Sequence, residues 1–158
     1  MNLDNLLKKL DACSEAREWA TGRDAAEAWA TCPRGDWMLW LAARLMDRKT
    51  AVLAACKCAR LSLVHVPAGE TRPLAAIETA ERWCRGEATI GEVRAAADAA
   101  NAAAANAAAA YAAAAAYAAA DAAYAARCAT LAACADLVRE TISAEMILKA
   151  AAQKEVKP

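Results

Sequence analysis

Apolar residues along this chain recur at helical spacing and almost never alternate. Val52, Cys56, Ala59 and Leu63 share one helix face at i, i+4, i+7 and i+11, and Leu131, Cys134, Val138 and Ile142 form a similar stripe. The single short β-branched alternation, residues 61–66, reads as a helix end ahead of Pro67. Local punctuation divides the pattern into elements. Asn2 or Asp4 caps a first helix through Leu10, and Ser14 caps a second that stops at Gly22. Asp24 opens a third, halted by Pro33 and Gly35, and Asp36 opens a fourth through Met46. Asp47 caps a fifth to about Leu63. Residues 67–73, with two prolines and a glycine, form the clearest turn. Pro73 then starts a helix that ends at Gly86, and Thr89 with Glu92 has the spacing of a capping box.

From Glu92 to Lys157 there is neither Gly nor Pro. One unbroken helix of that length would run about 100 Å at ~1.5 Å per residue, far beyond a domain roughly 40 Å across. A break is therefore expected around Arg127–Thr130, with Thr130 as cap, and a second near Asn101 or Asn106. The expected fold is all-α: a compact domain of about six to eight helices over residues 1–158. A long Ala-rich helix lies at its centre, and residues 143–158 form a loosely attached C-terminal helix or tail. Alanine is the strongest helix former and lets two backbones approach closely, so the segment from Glu92 to Ala126 is expected to be the most buried helix on its alanine face, packed under Trp and Leu from the first ninety residues. An ice-binding face, the other use of such a helix, would want a uniform small hydroxyl at i+11. Here that series reads Asn106, Tyr117, Cys128.

Charge narrows the function classes. Nineteen basic and nineteen acidic residues leave no net charge, against the basic excess that phosphate neutralisation requires, so no nucleic-acid partner is expected. The alanine run is long enough for a membrane span but carries Asp98, Asn101, Asn106 and Asp121, so no membrane partner is expected either. The seven cysteines (13, 32, 56, 58, 84, 128, 134) are odd in number, and residues 1–10 lack the apolar core of an export signal. That combination points to free thiols in the cytoplasm.

No catalytic, cofactor or metal residues stand out. Cys56-Lys57-Cys58 has C-x-C spacing, which sends the two sulfurs to different sides of a helix. His65, the single histidine, sits at a helix end with no Cys–carboxylate set proposed by spacing. Binding residues are better represented. Trp37, Trp40 and Arg44 fall at i, i+3 and i+7, with Trp40 and Arg44 placed for a cation–π contact; in a chain without Phe they serve equally well as core bulk. Tyr117, Asp121 and Tyr124 share a face of the Ala-rich helix, suited to a polar protein interface or to a half-exposed surface.

The block Cys32-Pro-Arg-Gly-Asp-Trp-Met-Leu-Trp-Leu41, followed by Ala54-Ala-Cys-Lys-Cys-Ala-Arg60, resembles a family of bacterial and phage proteins, the predicted immunity proteins of polymorphic-toxin systems. The likeness continues through Pro67–Glu70, Arg72-Pro73, Ala76–Trp83 and Gly86–Thr89, and resumes at Leu131–Arg139. It spans roughly residues 13 to 142. The resemblance implies a non-enzymatic protein that inhibits a protein partner, either a cognate toxin or a host defence protein. A structural or adaptor helical domain without inhibitory activity is the alternative, and self-association into a homodimer stays open. The binding residues expected are Tyr117, Asp121 and Tyr124, then Trp37, Trp40 and Arg44.

Overall fold

The computed structural model describes the backbone of residues 3–111 and 120–156 and the side chains of residues 3–103 and 128–154. Within these, nine α-helices follow one another: α1 (Leu3–Lys9), α2 (Ser14–Ala20), α3 (Ala25–Thr31), α4 (Gly35–Leu45), α5 (Arg48–Arg60), α6 (Arg72–Arg85), α7 (Ile90–Tyr111), α8 (Ala120–Thr141) and α9 (Ala144–Val156). A 3-10 segment, Leu61–His65, continues α5. No strand occurs among the described residues. The fold class is all-α as expected, with one helix more than the six to eight anticipated.

Several helix starts form as the local sequence dictates. The Asp24 carboxylate accepts from the backbone N–H of Ala26 at 2.8 Å and of Glu27 at 3.3 Å. Asp47 does the same for Lys49 and Thr50. Each satisfies N–H groups that the first turn leaves without partners. Thr89 and Glu92 close a reciprocal capping box: Thr89 N–H donates to the Glu92 carboxylate at 2.7 Å, and Glu92 N–H to Thr89 Oγ1 at 3.2 Å. Gly86 ends α6 in the left-handed region at φ 85°. Two starts differ from expectation. Cys13 rather than Ser14 caps α2, without a side-chain bond. Asp36 lies inside the first turn of α4 and is held by Arg34 instead.

The larger differences concern the stretch without Gly or Pro. Residues 127–130 lie within α8, which runs unbroken to Thr141, so no helix begins at Thr130. The break falls at Ile142-Ser143, where Ser143 Oγ accepts from the N–H of Met146 at 3.2 Å and starts α9. Residues 144–156 are docked by Ile147 and Ala151, both buried.

The alanine-rich α7 is not the centre of the fold. It packs mainly against α6. Its half-buried or buried positions, Val93, Ala96, Ala100 and Ala103, form one stripe, and most of its other described side chains are open to solvent. The middle is instead the second half of α8, which lies against α4 and α5 and holds Ala135, Val138 and Ile142 at 0 % exposure. These pack with Trp29, Met38, Ala42, Ala54, Cys58 and Ile147. The physical reason is area. A methyl group buries too little to hold a helix at a core position, whereas Val138 and Ile142 bury enough.

Close approach does occur, but between α4 and α8. A Cβ placed on Gly35 would lie 2.4 Å from Cys134 Cβ and 2.7 Å from the Ala135 nitrogen. Only glycine admits this contact. Two polar ties join the end of α3 to the C-terminal part of α8. The Trp29 indole donates from Nε1 to the buried Ile142 carbonyl at 3.0 Å, and Arg139 Nη1 donates to the Cys32 carbonyl at 2.9 Å.

Candidate functional site

Helices α1–α3 are seven residues each, too short to bury a full apolar face alone. They and α4 carry four of the chain's five tryptophans, at positions 19, 29, 37 and 40. Rings of that size on short helices do not tile completely. They leave an apolar cavity of about 360 Å³ between α1–α4 and α9, lined by all four tryptophans, by Leu3, Leu6 and Leu7 of α1, and by Leu148 of α9. The charged side chain in the lining is Asp36; Cys13 and Cys32 add two thiols.

Three lining tryptophans carry a guanidinium. Arg23 stands 4.7 Å from the Trp19 ring centre, Arg34 4.3 Å from Trp37, and Arg44 3.8 Å from Trp40. All three pairs are separated by three or four residues, the spacing at which helix neighbours meet. The Trp40–Arg44 contact is the one anticipated from the sequence. The other two obey the same spacing and would have been found by asking where every Trp has an Arg three or four positions away. Trp19 and Trp37 also meet each other, with centres 6.3 Å apart and planes tilted by 58°.

The charge states follow from the partners. Arg34 grips Asp36 through two parallel bonds of 2.9 and 2.7 Å. That guanidinium holds the Asp36 carboxyl below its ordinary value, and Asp36 raises Arg34 in turn. Asp36 is therefore a neutralised anion, without the proton a general acid would donate. Burial pushes the Cys32 thiol up. The same cause takes Cys56 to about 11, and burial beside Cys134 takes Cys58 to about 12. Thiols raised in this way are poor nucleophiles. All seven cysteines are free; Cys13 and Cys128 are the exposed ones. Cys56 and Cys58 occupy different environments, Cys56 bonding toward the Ile77 carbonyl of α6 and Cys58 toward the Cys134 carbonyl of α8. Among the described residues no group of three His, Cys, Asp or Glu is arranged to hold a metal ion. His65 ends the 3-10 segment in an exposed position.

The structure brings Trp37, Trp40 and Arg44 together at the edge of this cavity, the indoles half buried and Arg44 exposed. Tyr117 lies outside the described residues. Asp121 and Tyr124 belong to the first turns of α8, and their side chains lie outside the described set. No helix among the described residues is long and apolar enough to cross a membrane.

The model of the Imm-5 like putative immunity protein family matches residues 42–136. No curated protein and no solved structure matches the chain. The matched span runs from the end of α4 to the middle of α8, so it includes the whole of α5 and the α6–α7 pair, while Gly35, Met38, Val138 and Ile142 lie outside it. Of the cavity's lining it includes Leu45 alone. With well over half of its length in that match, the chain belongs to the Imm-5 like immunity protein family.

Proposed function

We propose that this protein is a non-enzymatic inhibitor that acts in the cytoplasm, binding a partner protein and blocking its working surface, as toxin immunity or as a phage anti-defence factor. The observation that carries the reading is the family match over residues 42–136. A second observation supports a binding output. The half-buried tryptophans beside the cavity carry stacked arginines, and Trp and Arg are the residue types that most often dominate binding energy at protein interfaces. Trp37, Trp40 and Arg44 are the anchors proposed, with Tyr117, Asp121 and Tyr124 as the second face to test. An occluding interface needs roughly 800 Å² on each side.

The test is co-expression with the product of the adjacent gene, followed by growth and by an activity assay on the purified pair. Restored growth, loss of the partner's activity and a stable complex are the expected results. Exchanging Arg44 and Trp40 for Gln and Leu should weaken that complex at least about tenfold, or ~1.4 kcal/mol. A partner that keeps full activity at stoichiometric excess of this chain overturns the reading.

A further inference from the structure

The cavity has a volume of about 360 Å³. Close-packed interiors leave few voids larger than a water molecule, and pockets that take small ligands begin at roughly 300 Å³. Its walls are indole and aliphatic carbon, so the part of a ligand that enters must be apolar. What lies at its edge decides the other part. Asp36 is neutralised by Arg34, which also stands 3.9 Å from Glu15. On the α2 side, Arg23 donates from Nε to the Trp19 carbonyl at 2.8 Å, and Asp4 and Asp24 line the same surface, so an anionic head group there would meet like charges.

The α4 end is different. Arg44 lies flat on Trp40, and Lys154 of α9 donates its ammonium to the Arg44 carbonyl. Among the described residues no carboxylate lies within ion-pair distance of either side chain. The acid nearest to Arg44 in sequence, Asp47, is occupied by the N–H groups of Lys49 and Thr50 and by the Thr50 hydroxyl, and Glu155, next to Lys154, has its side chain outside the described residues. The Arg44 guanidinium spends one donor on the Trp40 carbonyl at 3.4 Å, and its remaining N–H groups meet no acceptor among the described residues. It is held in orientation by the indole, with an edge free for a carboxylate.

We propose that this cavity binds an amphipathic anion: a single apolar chain lying between Trp19, Trp37 and Trp40, with a carboxylate or similar head group on Arg44 and Lys154. The site shares Trp37, Trp40 and Arg44 with the partner face proposed above, but its assay contains no partner protein, so each reading can fail alone.

The experiment titrates the full chain with decanoate, decanol and decyltrimethylammonium, each below micelle formation, and follows tryptophan emission. Four of the five tryptophans line the cavity, so occupancy is reported directly. Decanoate should bind saturably and roughly tenfold more tightly than the ammonium. The double change Arg44→Gln, Lys154→Gln should reduce that preference below about threefold with unchanged melting, whereas Arg23→Gln should leave it intact. Filling the cavity with Ala16→Leu and Ala25→Leu should abolish binding of all three probes while the circular dichroism spectrum stays helical. Absence of saturable binding overturns the site. Equal affinity for the three probes overturns the anionic head group, leaving a cavity that selects apolar matter alone. A preference that survives loss of Arg44 and Lys154, or that vanishes with Arg23→Gln instead, overturns the placement.

Discussion

The two sides of this molecule solve the packing problem in opposite ways. On one side, α5–α7 use small residues and exposed ion pairs: Ala96, Ala100 and Ala103 face α6, and Arg60 clasps Glu81 across the α5–α6 contact. On the other, α1–α4 and α9 use tryptophan and leucine, and enclose a cavity. Small residues allow helices to close without voids but bury little area per residue. Large rings bury much area, yet on seven-residue helices they cannot interdigitate fully. The family match covers the first side and almost none of the second. The shared scaffold and the aromatic cavity are therefore built from separable parts of the chain, joined at α8.

The largest expected effect strikes that junction. Trp29 fills the core between α3, α8 and α9, and its indole satisfies the Ile142 carbonyl where the chain turns into α9. Trp29→Ala should cost about 3–5 kcal/mol, read by urea denaturation. A loss below about 1 kcal/mol would mean that α9 is not held through this contact and that the two sides are less coupled than described.

Gly35→Ala comes next. The added methyl would meet Cys134 Cβ at 2.4 Å and backbone at 2.7 Å, with no flexible side-chain end to move aside. Overpacking of this kind typically costs ~1–3 kcal/mol. A neutral result in thermal melts would show that α4 and α8 separate at little cost.

A matched pair sharpens the comparison directly. Ala→Leu at Ala100, half buried on the stripe against α6, should destabilise by ~1–3 kcal/mol by overpacking that contact. The same change at Ala25, in the cavity wall, should be neutral or stabilise by about 0.5–2 kcal/mol by filling empty space. Equal costs at both positions would erase the distinction between a closed and an open side.

How much of this was legible in the sequence divides along the range of the interaction. Asp24, Asp47, Gly86 and the Thr89–Glu92 box were readable because each cap is encoded within four residues. The Trp40–Arg44 stack was readable for the same reason. The helix break was misplaced because Thr130 and Ser143 are equally good caps in isolation; what selects Ser143 is the seating of Trp29 on the Ile142 carbonyl, 113 residues away. Gly35 read as a helix breaker, although its main service is to admit α8, a contact with Cys134 that no local pattern announces. The alanine run read as central because it is long and apolar in composition. In its described part, residues 95–103, burial follows area and partners, and Val138 of α8 has more of both. The cavity is a failure of tiling among helices distant in sequence, which residue types alone do not reveal.

The smallest expected effect tests the polar side. Arg60 meets Glu81 through two bonds of 2.9 and 2.7 Å, and the guanidinium holds the Glu81 carboxyl below its ordinary value near 4.5. A carboxyl depressed in the folded state adds stability above its unfolded pKa and loses it as pH falls through the folded one. The pair is partly exposed, with Arg60 at 41 % and Glu81 at 21 %, so water and salt screen it and its worth is about 0–1 kcal/mol. Glu81→Gln should accordingly melt slightly below the parent at pH 7, and the gap should close as the pH is lowered from 4.5 through the more acidic folded pKa. Raising the salt at pH 7 should narrow the same gap. No difference at pH 7, or one that stays constant down to strongly acidic pH, would show that the charge of Glu81 adds nothing, and the α5–α6 contact would then owe its strength to Cys56, Ile77 and their neighbours.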